Sequence, residues 1–168
     1  MNTAIRTQMS IHTEVMDLLN NQIAMEMHAS ASYLAMASWC DQRELLNSKA
    51  LFYEQAEEER EHAMKIFKFI NDNGGSAISP TVVNVNNEFE SLLAIYEKSL
   101  EQEIAVSDSI KKIFKKARTE NDFVTEIMLQ WFITEQAEEE DKFRSIIDLF
   151  DLMEGMPLKM IDERISKD

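Results

Sequence analysis

Apolar residues recur at the spacing of an α-helix in four long stretches of the chain. In the first stretch Val15, Leu18, Leu19 and Tyr33 follow this spacing, and the other three stretches show similar stripes. A brief last stretch begins at Pro157, a residue type that suits the first turn of a helix. The pattern predicts four long helices and a short fifth, over about 10–41, 43–73, 87–118, 122–154 and 157–166.

The connections between these stretches differ in length. The first and third are short and predict antiparallel hairpins. The second, residues 74–86, has no helical period, and its length lets it extend about 43–47 Å, close to the roughly 46 Å of the preceding helix. The chain can therefore return along the bundle, which favours an all-α four-helix bundle with one long crossover. The alternative is a flexible linker between two hairpins, each of which alone buries little apolar surface.

Composition narrows the class of protein. A chain of 168 residues predicts a single domain over 1–168, and 3 Gly and 2 Pro are too few for the turns of a β-sandwich. The formal net charge of −14 argues against binding to nucleic acid or to an anionic membrane surface. Cys40 is the single cysteine, and no apolar run is long enough to span a membrane. We expect a soluble, cytoplasmic protein.

Each predicted helix carries polar residues on its apolar stripe, where an amphipathic helix normally has none. Glu26 lies seven residues from both Leu19 and Tyr33. Glu59 and His62 have the i, i+3 spacing that puts two side chains on one helical face. The full set on the four stripes is Glu26; Glu59 and His62; Glu101; and Gln136 and Glu139.

Carboxylates converging in a bundle core need a positive partner. Lys and Arg are absent from these stripe positions, so bound cations are the simplest remedy. Oxygen ligands with one imidazole suit iron, manganese or zinc. Each element alone has an ordinary explanation: Glu26 can lie at a stripe boundary, Glu101 shares its flank with Glu97 and Asp108, and runs of Glu are usually solvated. The occurrence of such residues in all four helices favours a metal site.

Four segments, in matching order and spacing, resemble the bacterial non-haem ferritins over nearly the whole chain. They are Gln22-Ile-Ala-Met-Glu26 with Tyr33 and Trp39-Cys40; Glu58-Glu59-Arg-Glu-His62; Leu100-Glu101-Gln102; and Leu129-Gln-Trp131-Phe-Ile-Thr-Glu135-Gln136-Ala-Glu138-Glu139-Glu140 with Ser145-Ile-Ile-Asp148.

The resemblance implies a dinuclear iron site within each subunit. Glu26, Glu59 and His62 correspond to the first iron site. Glu59, Glu101 and Glu139 correspond to the second, with Glu59 bridging the two ions.

Further residues take roles from the same resemblance. Gln136 corresponds to the glutamine that orients water or oxygen species near the metals. Tyr33 corresponds to the redox-active tyrosine beside the centre, and Trp131 is another nearby electron source. A third, outlying iron site is implied at Glu58, Glu135 and Glu138, to which Glu139 can be added.

Two departures separate the chain from related classes. Bacterioferritin has a second Glu-x-x-His in its fourth helix, where this chain has Gln136-x-x-Glu139, and it has a haem-ligating Met where this chain has Arg60. The resemblance therefore implies no haem. The small starvation-type ferritins place their iron ligands between subunits and lack a fifth helix. The ligands within one bundle and the tail after Gly155 argue against that class.

The function implied is iron storage with ferroxidase activity. Fe²⁺ would be oxidised by oxygen or peroxide and kept as ferric oxyhydroxide in a hollow homo-oligomeric shell of 24 subunits. The alternatives are a small di-iron oxidase or peroxidase and a metal-free helical assembly protein. The acidic residues Glu120, Asp122 and Glu126 are candidates for an iron entry channel, although acids also favour a helix N-terminus.

Overall fold

The computed structural model describes residues 8–166. These residues form five helices, and the all-α class predicted from the sequence is confirmed. The predicted domain of 1–168 extends beyond the described residues at both ends and stays a prediction. The helices are α1 (Thr13–Asp41), α2 (Leu46–Asp72), α3 (Leu92–Thr119), α4 (Phe123–Leu152) and α5 (Leu158–Asp162).

A long extended segment joins α2 to α3 and forms the predicted crossover. It follows Gly74, whose φ of 80° suits glycine at the end of a helix. The segment is tied to α1, because the backbone N–H of Ile78 donates to the Asn20 side chain (2.8 Å) and Asn20 donates to the carbonyl of Ser76 (3.2 Å). Helix α3 then begins at Leu92, later than predicted.

Buried apolar residues form two clusters, and a layer of buried polar side chains lies between them in every long helix. One cluster includes Tyr33, Phe52, Tyr96 and Phe143. The other includes Leu19, Ile66, Ile110 and Leu129, among others. The polar layer contains Glu26 and Gln22, Glu59 and His62, Glu103, and Gln136 and Glu139. The polar layer separates the two apolar clusters, and the candidate site lies in this layer.

Two aspartates accept hydrogen bonds from residues at helix N-termini that are distant from them in the sequence. Asp122 accepts from the N–H of Thr125 at the start of α4 (3.0 Å) and from the N–H of His12, just before α1 (2.9 Å). Helix α1 begins at Thr13, three residues after the predicted start at about 10. Asp162 accepts from the N–H of Ser48 (2.8 Å) and from its hydroxyl (2.6 Å), at the start of α2. The short α5 is thereby joined to the bundle.

None of the helices described is long and apolar enough to cross a membrane.

Candidate metal centre

Helices α1 and α2 bring three predicted ligands together. Glu26, Glu59 and His62 each offer one ligand atom, and these atoms all lie within 4.8 Å of one another. Nδ1 of His62 is 3.5 Å from a carboxylate oxygen of Glu59. All three side chains are buried, with Glu26 and Glu59 at most 1% exposed. The seven-residue spacing seen in the sequence thus corresponds to a real inward-facing group.

Four atoms of this group have no hydrogen-bond partner among the described residues: Oε2 of Glu26, both carboxylate oxygens of Glu59 and Nδ1 of His62. The remaining Glu26 oxygen accepts from Gln22 (2.8 Å). Buried polar atoms are nearly always paired. Two carboxylates and one imidazole, aimed at one point, are a donor set that fits a divalent cation such as Fe²⁺.

The electrostatics of the group agree with this interpretation. Burial, reinforced by the negative charge of Glu59, raises the pKa of Glu26 well above its usual range. Burial and then the charge of Glu103 raise the pKa of Glu59 in the same way. Without a cation the site therefore favours protonated carboxyls, and a bound metal ion would replace those protons.

The prediction that Glu101 faces the bundle core is wrong. The Glu101 side chain is 69% exposed and pairs with Lys98 at 2.9 Å, whereas Glu103 is fully buried. Two residues correspond to a rotation of about 200° around a helix, so the two glutamates lie on opposite sides. The stripe of buried residues in α3 runs through Ser99, Glu103, Val106 and Ile110. This spacing of four, three and four is present in the sequence and would have identified Glu103, which the sequence prediction missed.

Glu103 is held by two side chains from other helices. The Tyr33 hydroxyl donates to one carboxylate oxygen, and the Gln136 carboxamide donates to the other at 3.0 Å. Burial raises the pKa of Glu103 to about 7, although both hydrogen bonds act in the opposite direction. Burial and the adjacent Glu103 raise the pKa of the Tyr33 phenol well above its usual range. The Tyr33 hydroxyl and the Gln136 carboxamide thus both contact Glu103 in the polar layer, while their predicted roles stay predictions.

Glu139 is also fully hydrogen-bonded. Lys142 donates to one of its oxygens (2.9 Å) and Gln55 to the other (2.9 Å). Lys142 also donates to the carboxamide oxygen of Gln55 (2.6 Å). Lys and Arg are absent from the stripe positions themselves, but Lys142 forms an ion pair with Glu139 from outside the stripe. Sequence reasoning missed both partners, because Lys142 lies off the stripe and Gln55 is an unremarkable amide.

The residues predicted for a third iron site do not converge as the first group does. Glu135 lies 4.0 Å from Nε2 of His62, and Glu58 lies 3.7 Å from Lys142. The Glu138 side chain is exposed. Within residues 8–166 the first group, Glu26 with Glu59 and His62, is the single cluster whose ligand atoms lie close enough for one ion.

The outer edge of His62 faces a surface pocket. The pocket has a volume of about 460 Å³ and is lined by Lys65, Trp131 and Glu135 among others. The Trp131 ring lies 5.4 Å from the His62 ring, and the Lys65 ammonium lies 3.9 Å from the centre of the Trp131 ring. This places Trp131 close enough for its predicted role as an electron source, which stays a prediction.

The three candidate entry-channel acids are already engaged. Glu120 pairs with Lys116 (2.6 Å) and His12 (3.3 Å), and Glu126 pairs with Arg118 (2.5 Å). Asp122 is buried as the helix cap described above. The second explanation weighed for these acids, a role at a helix terminus, therefore accounts for Asp122.

A four-helix bundle whose core collects carboxylates from every helix, with one Glu-x-x-His motif, defines the class of carboxylate-bridged metal proteins. Comparison with known families matches residues 16–153 to the ferritin-like domain. The chain belongs to the ferritin-like family.

Several relatives found by comparison belong to one branch of that family. The bacterial non-heme ferritin of Campylobacter jejuni is 36% identical over 155 residues, covering 91% of this chain and 93% of the relative. The bacterial non-heme ferritin of Staphylococcus epidermidis is 41% identical over 136 residues, covering 80% and 81%. The open pore ferritin of Archaeoglobus fulgidus superimposes with a TM-score of 0.89 at 33% identity, covering 94% of this chain and 97% of its own. The resemblance to bacterial non-haem ferritins is confirmed.

Proposed function

We propose that this iron-storage ferritin is a ferroxidase, which oxidises Fe²⁺ between Glu26, Glu59, His62, Glu103 and Glu139. The observation that carries the proposal is the set of four buried ligand atoms without partners in the first group. Such atoms destabilise the fold unless a cation binds them. Glu103 replaces Glu101 in the predicted second site, because Glu103 is the buried glutamate of α3.

Iron is the substrate in this scheme. Glu26, Glu59 and His62 bind one Fe²⁺, and Glu59, Glu103 and Glu139 bind the other, so that Glu59 bridges them. Each ion gives up one electron, and the pair of electrons, with two protons from water, reduces oxygen to hydrogen peroxide or hydrogen peroxide to two water molecules. Hydrolysis of the ferric ions to oxyhydroxide releases protons. Hard, anionic carboxylates favour the ferric state.

Two residues around Glu103 hold its carboxylate in place, and one of them, Tyr33, can supply an electron and a proton. Gln136 and Tyr33 hold the Glu103 carboxylate from two sides. Because the Tyr33 hydroxyl points at Glu103, loss of an electron from this ring can be accompanied by transfer of its proton to that carboxylate. This contact supports the proposed redox role of Tyr33.

Storage needs a container, and we propose the homo-oligomeric shell of 24 subunits implied by the resemblance. Large apolar side chains are exposed near helix ends, including Phe123, Ile127 and Leu152, and such surface is typical of contacts between subunits. The net charge of −14 per chain would attract Fe²⁺. A cytoplasmic location accords with the single cysteine.

Two measurements test the proposal together. Metal-free protein is mixed with Fe²⁺ in air, ferric absorbance is followed, and the particle is sized by light scattering. We expect oxidation faster than in buffer, with the ferric product retained in a particle of about 24 chains. An oxidation rate equal to that in buffer would contradict the proposed ferroxidase activity. Oxidation by a small particle that retains no iron would favour the di-iron oxidase.

A further inference from the structure

Lys142 reaches from α4 into the acidic end of the polar layer. Its ammonium donates to Glu139 (2.9 Å) and to the Gln55 carboxamide oxygen (2.6 Å). It lies 3.7 Å from Glu58, within ion-pair distance. The side chain is 28% exposed, so its charge is partly shielded from water. One positive charge therefore lies between a carboxylate of α2 and a carboxylate of α4.

These two carboxylates belong to the predicted outlying site. Of its four predicted ligands, Glu58 and Glu139 face the Lys142 ammonium. Glu135 lies against His62 instead, and Glu138 is exposed. The space between Glu58 and Glu139, two of the four predicted ligands, is thus occupied by an ammonium group of the chain itself.

The contrast with the first group is chemical. Neither carboxylate oxygen of Glu59 accepts a hydrogen bond from any residue that the structure describes. Both Glu139 oxygens accept hydrogen bonds, from Lys142 and from Gln55. An ion entering between Glu58 and Glu139 has to displace an ammonium that donates to Glu139 and Gln55 and lies 3.7 Å from Glu58, or to bind beside a like charge. Both routes are unfavourable in a partly buried site.

We infer that Lys142 is the resident cation of the outlying site, so that each subunit binds two metal ions at its centre and no third ion between Glu58 and Glu139. The inference rests on the proposed function. It makes Lys142 a specificity-determining residue: its charge sets how many ions the centre accepts. The same charge weakens the second ion more than the first, since Glu139 belongs to the second site.

The test counts and locates Zn²⁺, a redox-inert probe for oxygen and nitrogen ligands, in the assembled protein. Ions are counted by equilibrium dialysis and located by anomalous diffraction. We expect two ions per subunit at the centre of the unaltered protein. Lys142→Met should gain one ion, between Glu58 and Glu139, whereas Lys142→Arg should keep two.

Lys98→Met is the matched control. Lys98 also pairs with a glutamate three residues away, but on the exposed side of α3, and the substitution changes the net charge equally. It should leave two ions at the centre. If Lys142→Met does not fold, Lys142→Gln keeps a hydrogen-bond donor without the charge and should give the same gain.

Two results overturn the inference while the proposed function stands: an ion between Glu58 and Glu139 in the unaltered protein, or no gain in folded Lys142→Met or Lys142→Gln. A third result, no ion on Glu26 and Glu59 in any variant, overturns the proposed function itself and the inference with it.

Discussion

The buried polar layer contains two groups of carboxylates and neighbouring polar side chains. The groups differ in whether the protein supplies hydrogen bonds to the carboxylates. The unpaired group is Glu26, Glu59 and His62, in which four ligand atoms have no hydrogen-bond partner within residues 8–166. The paired group is Glu103, Gln136 and Glu139, whose carboxylates accept from Tyr33, Gln136, Lys142 and Gln55. Buried carboxylates in one core are thus stabilised in two ways, by a hydrogen-bond donor of the protein or by a bound cation.

The difference indicates how the centre works. The paired group is held in place by the protein and needs no metal to be stable. The unpaired group is a cost to the fold that metal binding removes. We therefore expect the first ion to bind the unpaired group tightly, and the second ion to compete with protein donors and remain exchangeable. A labile second ion suits a centre that must release its product.

The largest expected effect follows from removing the bridge. Glu59→Gln should slow Fe²⁺ oxidation about 100-fold or more, since even the partners of metal ligands contribute about 10–100-fold. At pH 8 the metal-free variant should also gain about 1–3 kcal/mol in free energy of unfolding, because the folded protein has to keep Glu59 either protonated or buried as a charge, and glutamine requires neither. Stopped-flow absorbance and urea unfolding measure the two quantities.

Glu57→Gln, at an exposed position of the same helix, serves as the control and should change neither. A metal-free Glu59→Gln protein that is less stable than the unaltered one would contradict the description of the unpaired group.

A matched pair on α3 tests the paired group. Glu103→Gln should slow oxidation about 10–100-fold, because the second ion loses an anionic ligand. Glu101→Gln, two residues away and exposed, should leave the rate within about twofold, as surface changes usually do. Initial rates at saturating oxygen compare them directly. A larger loss from Glu101→Gln would restore the ligand set predicted from sequence.

The pH dependence of stability distinguishes a protonated core from a metal-bound one. The pKa values of Glu26 and Glu59 are raised well above 4.5, and that of Glu103 to about 7. Above the ordinary pKa of 4.5 and below the raised pKa values, the folded state binds more protons than the unfolded state. The metal-free protein should therefore lose stability as pH rises from 5 to 7.5. Urea unfolding in the presence of a chelator measures this slope.

Saturating Zn²⁺ should reverse that slope, since the metal binds deprotonated ligands. Stability of the chelated protein that increases over the same pH range would refute the raised pKa values.

The smallest expected effect is a change in the free energy of unfolding that has opposite signs in the two groups. Gln55→Ala removes one donor from Glu139, leaving a buried oxygen unsatisfied, and should lower the free energy of unfolding by about 1–3 kcal/mol. Removing a polar member of the unpaired group is expected to do the reverse. Urea unfolding at pH 8 compares them, and an increase in stability for Gln55→Ala would mean that the paired group is not stabilised by its donors.

Periodicity in the sequence was sufficient for the fold and for most of the buried polar layer, since of the six residues named on the four stripes only Glu101 is exposed. Apolar spacing defined the four helices, and the length of the crossover indicated how they connect. The seven-residue interval through Leu19, Glu26 and Tyr33 identified an inward-facing carboxylate correctly. The same logic failed for Glu101, because that residue was judged by its neighbours Leu100 and Ile104 and not by the whole stripe.

Other features depend on distance in space and were not visible in the sequence. Lys142 lies off the apolar stripe, but its long aliphatic stem carries the ammonium to Glu139. Asp162 closes α2 from more than a hundred residues away. Such contacts are decided by how helices pack, and no local pattern encodes them.

The central claim is that the unpaired group is the first metal site. Crystals of the metal-free assembled protein, exposed without oxygen to one Fe²⁺ per subunit, would be measured at the iron absorption edge. The account predicts a single anomalous peak within coordination distance of Glu26, Glu59 and Nδ1 of His62. A first peak between Glu103 and Glu139, with none beside His62, would contradict it.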